Sequence, residues 1–510
     1  MSTHNNALIL ATISYMKKKT DYPLKPHQIK GLYWCLKRES MEGLKGGLLC
    51  DEPGMGKTIQ MAALMKANIK HSTLIIVPVC VINQWKTSLG SIFGSDKIYV
   101  HTGAARPKHW EELTRLRLGK MDNIIVITTY GVAVSSKKSR DNLLFENSWG
   151  RVILDEGHII RNSGTLSFKK INSIKREHSW ILSGTPLQNK LSDIRTLFKF
   201  VNNGRCYMTL PDMTKNFMIR RTKKELIGTV NYLDDYIISN VICPFETKEE
   251  QDTYMALQRN VMDDYGGIDL ELNDSSTMEY LVQILRLRQA SIHPELAMKS
   301  FAQKYESFQW DRFSNRSTKM KYFLDKINTA TGYSLVFCHF RNEMNLVQSE
   351  LETIGIQSEM YNGSMNASER RAVLDKFPSD KVSKKALIIQ IKAGGVGLNL
   401  QQFTSIFIIS PDWNPCNEIQ AIARAHRIGQ TKTVTVFKFT VVCNYKFSEE
   451  ASEVRTIDSL ITSKQKTKRE LMSNILEDDS LCYNEKLEAS STSFNLADWV
   501  NKDEYLHSCR

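Results

Sequence analysis

The residues with the clearest chemical potential lie between positions 46 and 58, which read GGLLCDEPGMGKT. The apolar start predicts a buried strand, the glycines predict a turn, and the final Lys-Thr predicts the start of a helix. In that arrangement the turn amides and the helix N-terminus point at one spot that favours negative charge. Lys57 could then reach the β- and γ-phosphates of a nucleotide, and the Thr58 hydroxyl could bind Mg2+.

One position departs from the usual phosphate-loop pattern, because Asp51 stands where that pattern opens with glycine. Gly54 and Gly56 still keep side chains off the turn, so its amides could approach a phosphate closely. A loop that only resembles a phosphate loop is the alternative, and the rest of the chain has to decide between the two. The predicted nucleotide-binding residues here are Asp51, Glu52, Pro53, Gly54, Met55, Gly56, Lys57 and Thr58.

Two carboxylates follow another apolar run, since Asp155 and Glu156 come directly after residues 152–154. If that run is a strand of a parallel sheet, both carboxylates lie at the edge where such sheets bind ligands. Asp155 would then help to hold Mg2+, and Glu156 would orient and polarise the attacking water. An Asp-Glu pair alone is usually a solvated turn, so this prediction depends on the phosphate loop.

Two helical segments carry further candidates. Gln28 lies near the start of a predicted helix, and its amide can donate and accept at once, which suits the edge of an adenine. Gln420, Arg424 and Arg427 fall at i, i+4 and i+7 of a helix predicted over 418–427, on one face. Because the second half of the chain has no phosphate loop of its own, we expect both arginines to reach the phosphate bound by the first half.

An α/β fold is required to position these groups. Apolar runs alternate with helical segments twice along the chain, which predicts two lobes, each a parallel sheet flanked by helices. The strands are predicted at 48–50, 73–77, 124–128, 152–154 and 180–182, and then at 334–340, 386–391, 404–409 and 433–439. The predicted domains are a flexible N-terminal arm (1–21), a first lobe (22–230), a helical insertion and linker (231–318), a second lobe (319–465) and a polar, largely acidic tail (466–510).

The net charge of +13 is unevenly distributed, since residues 477–510 carry eight acidic and three basic side chains. A basic body favours a polyanionic partner such as nucleic acid, although a basic solvated surface gives the same composition. The acidic tail could compete with that partner, or be a disordered or partner-binding end.

Ten cysteines without a Cys-x-x-Cys pair predict reduced thiols and no structural zinc. No apolar run is long enough to span a bilayer and the start does not look like a signal peptide, so we expect an intracellular protein without a membrane partner.

Taken together, these stretches resemble the motifs of the SNF2 family of superfamily 2 ATPases. The resemblance covers residues 22–450 and includes the order of the motifs. One departure is Gly157, where the family usually has alanine. The matching stretches are 51–58, 74–86, 127–130, 153–162, 182–189, 217–222, 285–294, 361–364, 391–400 and 420–430.

The resemblance implies two RecA-like lobes and an ATP- and Mg2+-dependent hydrolase that is stimulated by double-stranded DNA. It places Arg424 and Arg427 as arginine fingers beside the catalytic Lys57, Asp155 and Glu156. It also implies that Ser183, Gly184, Thr185 and Gln420 couple the lobes, and that Gln84, Thr129, Gly395 and Asn399 contact DNA. Within the family, the short length and the Asp-Glu-Gly-His sequence are similar to a viral member. That likeness implies a role in transcription in the host nucleus, with chromatin or transcription factors as further partners.

Two other functions remain open at this point, and a third is excluded. The chain could keep the fold and bind ATP as an interaction protein with little turnover, although Glu156 and Arg427 argue against that. It could also separate strands as a true helicase, since sequence alone does not exclude a wedge. An unrelated phosphate-loop enzyme such as a kinase would lack the second lobe.

Overall fold

Two parallel β-sheets, each flanked by helices, form the framework of the protein. No helix among the described residues is long and apolar enough to cross a membrane. The computed structural model describes residues 3–43, 45–104, 106–116, 123–135, 143–188, 190–204, 208–226, 235–265, 275–298, 315–378, 384–391, 398–447, 455–476 and 486–488.

The first lobe is built around a seven-stranded parallel sheet. Its elements are α1 (Thr3–Lys19), α2 (Pro26–Ser40), β1 (Gly46–Leu49), α3 (Lys57–Ala67), β2 (Ser72–Val77), α4 (Ile82–Phe93), β3 (Ile98–His101), α5 (Trp110–Leu116), β4 (Ile124–Thr129), α6 (Tyr130–Ser135), α7 (Leu143–Glu146), β5 (Arg151–Asp155), α8 (Leu166–Asn172), β6 (Ser179–Leu182), α9 (Leu191–Val201), α10 (Leu210–Phe217) and β7 (Met218–Ile219). The strands lie in the order β3-β4-β2-β5-β6-β1-β7.

Strand β2 shows why the predicted apolar runs become strands of this sheet. Every residue of β2 is buried. Leu74 and Ile76 belong to one hydrophobic cluster, whereas Ile75 and Val77 belong to another. Because neighbouring side chains of a strand point to opposite faces, the sheet is covered on both sides.

The second lobe contains another seven-stranded parallel sheet. Its elements are β8 (Ile237–Pro244), α11 (Lys248–Tyr265), α12 (Ser275–Ala290), α13 (Thr318–Thr329), β9 (Tyr333–Cys338), α14 (Arg341–Thr353), β10 (Gln357–Tyr361), α15 (Ala367–Leu374), β11 (Lys385–Gln390), β12 (Ser405–Ile408), α16 (Pro415–Ile422), β13 (Thr435–Val442), α17 (Ile457–Leu476) and β14 (Lys486–Glu488). The strands lie in the order β10-β11-β9-β12-β13-β8-β14.

The two sheets share one topology, and this corrects the predicted domain boundary. The place that β1 takes in the first sheet is taken in the second by β8, which lies within residues predicted to be an insertion and linker. Strand β8 pairs with β13 along its whole length, and Val241 and Cys243 lie in the core of the second lobe with Tyr254 of α11. The prediction failed because Ser239-Asn240 interrupts the apolar run and the pairing partner lies far along the chain.

The N-terminal segment is a packed helix, so the prediction of a flexible arm was wrong. Ile9 and Met16 of α1 are buried in the core of the first lobe. The Tyr15 hydroxyl donates to the carbonyl of Ile92 at 2.8 Å, and the Lys66 ammonium lies 3.9 Å from the centre of the Tyr15 ring. The segment looks polar because only one narrow face of the helix is covered.

Helix α17 crosses the predicted start of the tail at residue 466 and connects the two lobes. Ile457 and Ile461, near its beginning, pack in the core of the second lobe. Met472 and Leu476, near its end, pack in the core of the first lobe. The Met472 sulfur lies 3.8 Å from the thiol sulfur of Cys416 in α16. The helix therefore holds the lobes together on the side of α16.

A buried ion pair fixes the helix that carries Gln28 against the strand that ends at Asp155. The Glu39 carboxylate accepts from Arg151 Nε at 2.7 Å and from Arg151 Nη2 at 2.6 Å. Trp180 Nε1 and Asn68 Nδ2 also donate to Glu39, at 2.9 and 2.7 Å. Burial favours the neutral acid, but the charge of Arg151 outweighs it and lowers the pKa of Glu39. The carboxylate thus joins α2, β5 and β6.

We expect Glu39→Ala to destabilise the first lobe by about 3–5 kcal/mol, because Arg151 would be left buried without its counter-charge. Urea unfolding followed by tryptophan fluorescence measures this effect. Glu111→Ala is the matched control, since Glu111 forms an exposed ion pair with Arg115 and should change stability little. Equal effects of the two substitutions would contradict the role assigned to Glu39.

Candidate nucleotide-binding site between the lobes

The predicted phosphate loop lies between β1 and α3 and has the backbone that such a loop needs. Gly54 has φ 91° and Gly56 has φ 80°, in the left-handed region that favours glycine. A Cβ on Gly56 would lie 2.4 Å from Gln28 Nε2, and one on Gly54 would lie 3.2 Å from Arg427 Cγ. The positive φ values therefore favour glycine at both positions, and a Cβ would also require the side chains of Gln28 or Arg427 to shift.

Lys57, the first residue of α3, lies inside this loop. Its ammonium donates to the carbonyl oxygens of Asp51 at 2.7 Å and of Glu52 at 3.2 Å. Burial lowers the pKa of Lys57, while the negative charges of Glu156, Asp51 and Asp155 oppose that effect. The ammonium thus faces both the loop and the predicted catalytic carboxylates. Thr58 follows it in the first turn of α3.

Asp51 explains why this loop does not open with glycine. Its buried carboxylate forms an ion pair with Arg221 and accepts from Gln60 Nε2 at 2.8 Å. The next carboxylate, Glu52, accepts the backbone N–H of Lys223. Both side chains therefore bind the loop to the segment that follows β7, and Asp51 faces the loop interior only through its carbonyl.

Gln28 contacts the phosphate loop from α2. Its Nε2 donates to the carbonyl of Met55 at 3.2 Å, and its Oε1 accepts from the backbone N–H of Lys25 at 3.0 Å. His27 Nε2 lies 3.0 Å from the same Met55 carbonyl. The structure thus brings Gln28 to the nucleotide loop. Its recognition of adenine stays a prediction.

Asp155 and Glu156 lie at the carboxyl end of β5, as predicted. Trp85 Nε1 donates to Asp155 Oδ2 at 2.7 Å, and the Tyr130 hydroxyl donates to the Asp155 carbonyl at 2.8 Å. Burial and the adjacent Glu156 raise the pKa of Asp155. A bound cation would favour its charged form instead.

Glu156 has the electrostatic surroundings of a carboxylate that stays ionised. Its backbone is left-handed, with φ 52°, which turns the side chain out of the strand direction. Burial alone would raise the pKa of Glu156, but His158, Lys57 and Arg424 together lower it. An ionised carboxylate held among cations can orient and polarise a water molecule.

A row of polar contacts runs from Glu156 into the second lobe. His158 Nδ1 lies 3.3 Å from Glu156 Oε2 and 3.2 Å from Ser183 Oγ. The Ser183 hydroxyl accepts from Thr185 N at 3.3 Å, and Gln420 Nε2 donates to Thr185 Oγ1 at 3.2 Å. These contacts bring together the residues predicted to couple the lobes.

Gly184 also belongs to this row, because a Cβ at that position would lie 2.5 Å from Pro53 Cγ. The predicted coupling segment therefore packs directly on the phosphate loop, and a larger residue at 184 would have to displace it.

The two predicted arginine fingers reach the site, but not from a continuous helix. Helix α16 ends at Ile422, whereas the prediction extended it to 427. The carbonyl of Arg424 accepts from Leu400 N at 3.0 Å, and that of Ala425 accepts from Gln430 Nε2 at 3.1 Å. The N–H groups of Arg424 and Ala425 donate to the carbonyls three residues earlier, those of Ala421 and Ile422, at 3.1 Å each. Regular α-helical bonding therefore stops after Ile422, and both arginines lie beyond the end of the helix.

Both guanidinium groups still face the first lobe. Arg424 is almost completely buried, and the charge of Glu156 opposes the effect of burial on its pKa. Burial, and then the charge of Arg424, lower the pKa of Arg427 to about 10, so both arginines remain protonated at neutral pH. The stem of Arg427 lies over Gly54.

The residues of this site fit a magnesium–nucleotide complex. The phosphate loop has glycine at its two positions with left-handed backbone, and Lys57 and Arg424, one from each lobe, lie near the two carboxylates. Among the described residues, the buried Arg427 Nε has no hydrogen-bond partner, as expected of a group that awaits an anion. Thr58 and Asp155 would hold Mg2+, and Lys57, Arg424 and Arg427 would face the phosphates.

The four residues predicted to contact DNA differ in their exposure, and their contact with DNA stays a prediction. Gln84 on α4 and Asn399 are exposed. Thr129 is buried and its hydroxyl accepts from Val132 N at 3.2 Å, so its side chain has a local role. Gly395 lies outside the described residues.

Sequence reasoning missed Lys223, which joins the phosphate loop to the second lobe. Its Nζ donates to the His426 carbonyl at 2.6 Å, between the two finger arginines, while its N–H donates to Glu52. Burial lowers the pKa of Lys223 to about 8 against the opposing charge of Glu52. From sequence alone, a lysine among other basic residues is not recognisable as a contact between the lobes, because its partner His426 lies far along the chain.

The fold and the site define a two-lobed phosphate-loop ATPase of the helicase-like type, in which the second lobe completes the nucleotide site of the first. The model of the SNF2-related domain matches residues 27–209, and that of the helicase conserved C-terminal domain matches residues 318–429. The chain belongs to the SNF2 family of superfamily 2 helicase-like ATPases.

Curated relatives agree with this assignment. YwqA of Bacillus subtilis is 28% identical over 89% of this chain and 50% of its own length. The chromatin remodeling factor mit1 of Schizosaccharomyces pombe is 25% identical over 86% of this chain, which spans 33% of mit1. The "Probable global transactivator" of Orgyia pseudotsugata multicapsid polyhedrosis virus is 24% identical over 90% of this chain and 92% of its own length. The chain thus spans half of YwqA and a third of mit1.

Among solved structures, the Sulfolobus solfataricus SWI2/SNF2 ATPase core in complex with dsDNA aligns over 89% of this chain and 96% of that core. The identity is 24% and the TM-score is 0.37.

We expect Glu156→Gln to lower ATP hydrolysis at least about 100-fold while ATP still binds, because the amide keeps the shape but cannot polarise the water. Lys57→Ala should abolish hydrolysis, because it removes the positive charge that would contact the transferred phosphate. Titration with a fluorescent ATP analogue and a phosphate-release assay separate binding from turnover. Wild-type turnover in Glu156→Gln would show that the base had been assigned wrongly.

We expect Arg427→Ala to reduce turnover about 1000-fold, the low end of an arginine-finger effect, with little change in ATP affinity of the open form. Stopped-flow hydrolysis under single-turnover conditions measures this. The control is Arg316→Ala, since Arg316 pairs with Glu350 near the surface of the second lobe. An unchanged single-turnover rate in Arg427→Ala would exclude the finger role.

Proposed function

We propose that this protein is a DNA-stimulated ATPase that couples ATP hydrolysis to translocation along duplex DNA. The observation that carries the proposal is the shared nucleotide site. Lys57 and Glu156 come from the first lobe, and Gln420, Arg424 and Arg427 come from the second. Because the site is complete only when the lobes are together, nucleotide state and lobe arrangement are linked.

Each residue of the site has a separate role in the proposed hydrolysis. Lys57 and the loop amides bind the phosphates, while the arginines stabilise the charge that develops during transfer. Glu156 orients the attacking water and accepts its proton. Bound Mg2+ would neutralise phosphate charge and orient the leaving group. Release of inorganic phosphate after hydrolysis removes an anionic partner from the arginines, which favours separation of the lobes.

Double-stranded DNA is the proposed activator. The body of the chain is basic, the exposed Gln84 and Lys86 lie on the first turns of α4, and the Sulfolobus core was solved with dsDNA. Contacts to phosphates alone would let the motor follow an intact duplex without entering between the strands. A strand-separating helicase and an ATP-binding interaction protein with little turnover are the alternatives.

A role in transcription within the nucleus, with chromatin or transcription factors as partners, extends this proposal. It rests on the resemblance to the viral global transactivator and on no feature of the site. If the protein is viral, the compartment would be the host nucleus.

We expect duplex DNA to stimulate hydrolysis, and the protein to displace the third strand of a triplex in an ATP-dependent way without opening a forked duplex. Labelled triplex and fork substrates at the same salt test this directly. The stimulation should weaken with salt, since each phosphate contact contributes about 0.9 to the log–log slope. ATP-dependent opening of the fork would favour the helicase, and a low rate with every nucleic acid would favour the interaction protein.

A further inference from the structure

We propose that Trp85 and Tyr130 are positioning residues that connect the metal-binding carboxylate of Asp155 to α4 and α6, and thereby transmit duplex binding to the nucleotide site. The inference deepens the proposed function and rests on it, because it takes Asp155 as a Mg2+ ligand and α4 as a DNA-facing helix. It assigns a task to two aromatic residues that no step of hydrolysis uses.

Trp85 combines complete burial with a polar contact at the site. It lies in the first turns of α4, where Gln84 and Lys86 on either side of it are exposed. The indole itself has no accessible surface, and its Nε1 donates to Asp155 Oδ2 at 2.7 Å. One side of the same turn therefore faces solvent, and the other holds the carboxylate.

Tyr130 makes a second contact with the same residue from a different segment. It is the first residue of α6 and follows Thr129 at the end of β4. Its hydroxyl donates to the Asp155 carbonyl oxygen at 2.8 Å.

These bonds fix the orientation of Asp155. Trp85 occupies Oδ2, the Glu156 N–H donates to Oδ1 at 3.1 Å, and Tyr130 holds the backbone. Together they fix the plane of the Asp155 carboxylate, and with it the direction in which its remaining lone pairs could bind a cation. Partners of this outer kind orient metal ligands, and their loss typically reduces metal affinity or activity 10- to 100-fold.

The coupling would pass through α4, because the exposed Gln84 and Lys86 lie beside Trp85 in the same turns of that helix. A duplex that binds the exposed residues of its first turns would favour the position of α4 in which Trp85 reaches Asp155. Because such coupling is reciprocal, bound metal and nucleotide would also favour that position of α4 and strengthen duplex binding.

The test compares Trp85→Phe, Tyr130→Phe and a matched control in the full chain. Trp180→Phe is the control, since Trp180 is also completely buried in the first lobe and donates Nε1 to a carboxylate, that of Glu39, at 2.9 Å. Electron paramagnetic resonance measures Mn2+ binding in the presence of a non-hydrolysable ATP analogue. Nucleotide affinity without metal and the stimulation of hydrolysis by duplex DNA are measured in parallel.

We expect Trp85→Phe to weaken Mn2+ binding about 10-fold and to reduce the stimulation by duplex, with metal-free nucleotide affinity unchanged. Tyr130→Phe should reduce the stimulation as well. Trp180→Phe should lower thermal stability and leave Mn2+ affinity at the wild-type value. This pattern separates positioning of Asp155 from general loss of packing.

The inference would be overturned if Trp85→Phe kept wild-type Mn2+ affinity and wild-type stimulation by duplex DNA. It would also be overturned if Trp180→Phe lost as much Mn2+ affinity as Trp85→Phe. If Trp85→Phe does not fold, Tyr130→Phe decides, and undiminished stimulation in that variant overturns the inference. Absence of duplex stimulation in the wild-type protein would instead refute the proposed function, while the Mn2+ measurement would still decide whether Trp85 positions Asp155.

Discussion

The structure depends on mutual neutralisation of charges that are buried between the lobes. Glu156 from the first lobe lies among Lys57 and Arg424, which come from different lobes. An isolated charge in such a place would cost several kcal/mol, so each group needs the others to remain ionised. His158 of the first lobe lowers the pKa of Glu156 most, followed by Lys57 and Arg424, so the second lobe contributes to the ionised state of Glu156 but does not determine it alone. Binding of an anionic ligand would change this balance of charges.

The two sheets repeat one topology but contribute differently to this balance. Strand β1 leads into a glycine-bearing loop that can surround a phosphate, whereas its counterpart β8 ends in Pro244 and leads into α11. The second lobe contributes the cationic side chains of Arg424 and Arg427 instead of a phosphate-binding loop. Three separate connections join that lobe to the first, through helix α17, Lys223 and Gln420. A displacement of one lobe therefore changes contacts at several positions of the other.

Asp51 and Glu39 show how far the support of the site extends. Asp51 binds the segment that follows β7 through Arg221, and Glu39 connects α2 to β5 and β6. Neither residue faces the predicted ligand with its side chain. Both use buried ion pairs, whose main contribution is a fixed arrangement, because desolvation offsets most of the attraction. The phosphate loop and the helix that carries Gln28 are therefore held in place by residues outside the motif.

The sequence by itself determined the phosphate loop, the Asp155-Glu156 pair, most interior strands and the existence of a second lobe. In these features the informative residues are neighbours in the chain, so their spacing fixes their relative position. Tertiary structure alone decided that β8 joins the second sheet, that the helix before Arg424 stops at Ile422, and that Trp85 meets Asp155 at a separation of 70 residues. Those outcomes depend on which distant segments pair and contact one another, and local periodicity does not contain that information.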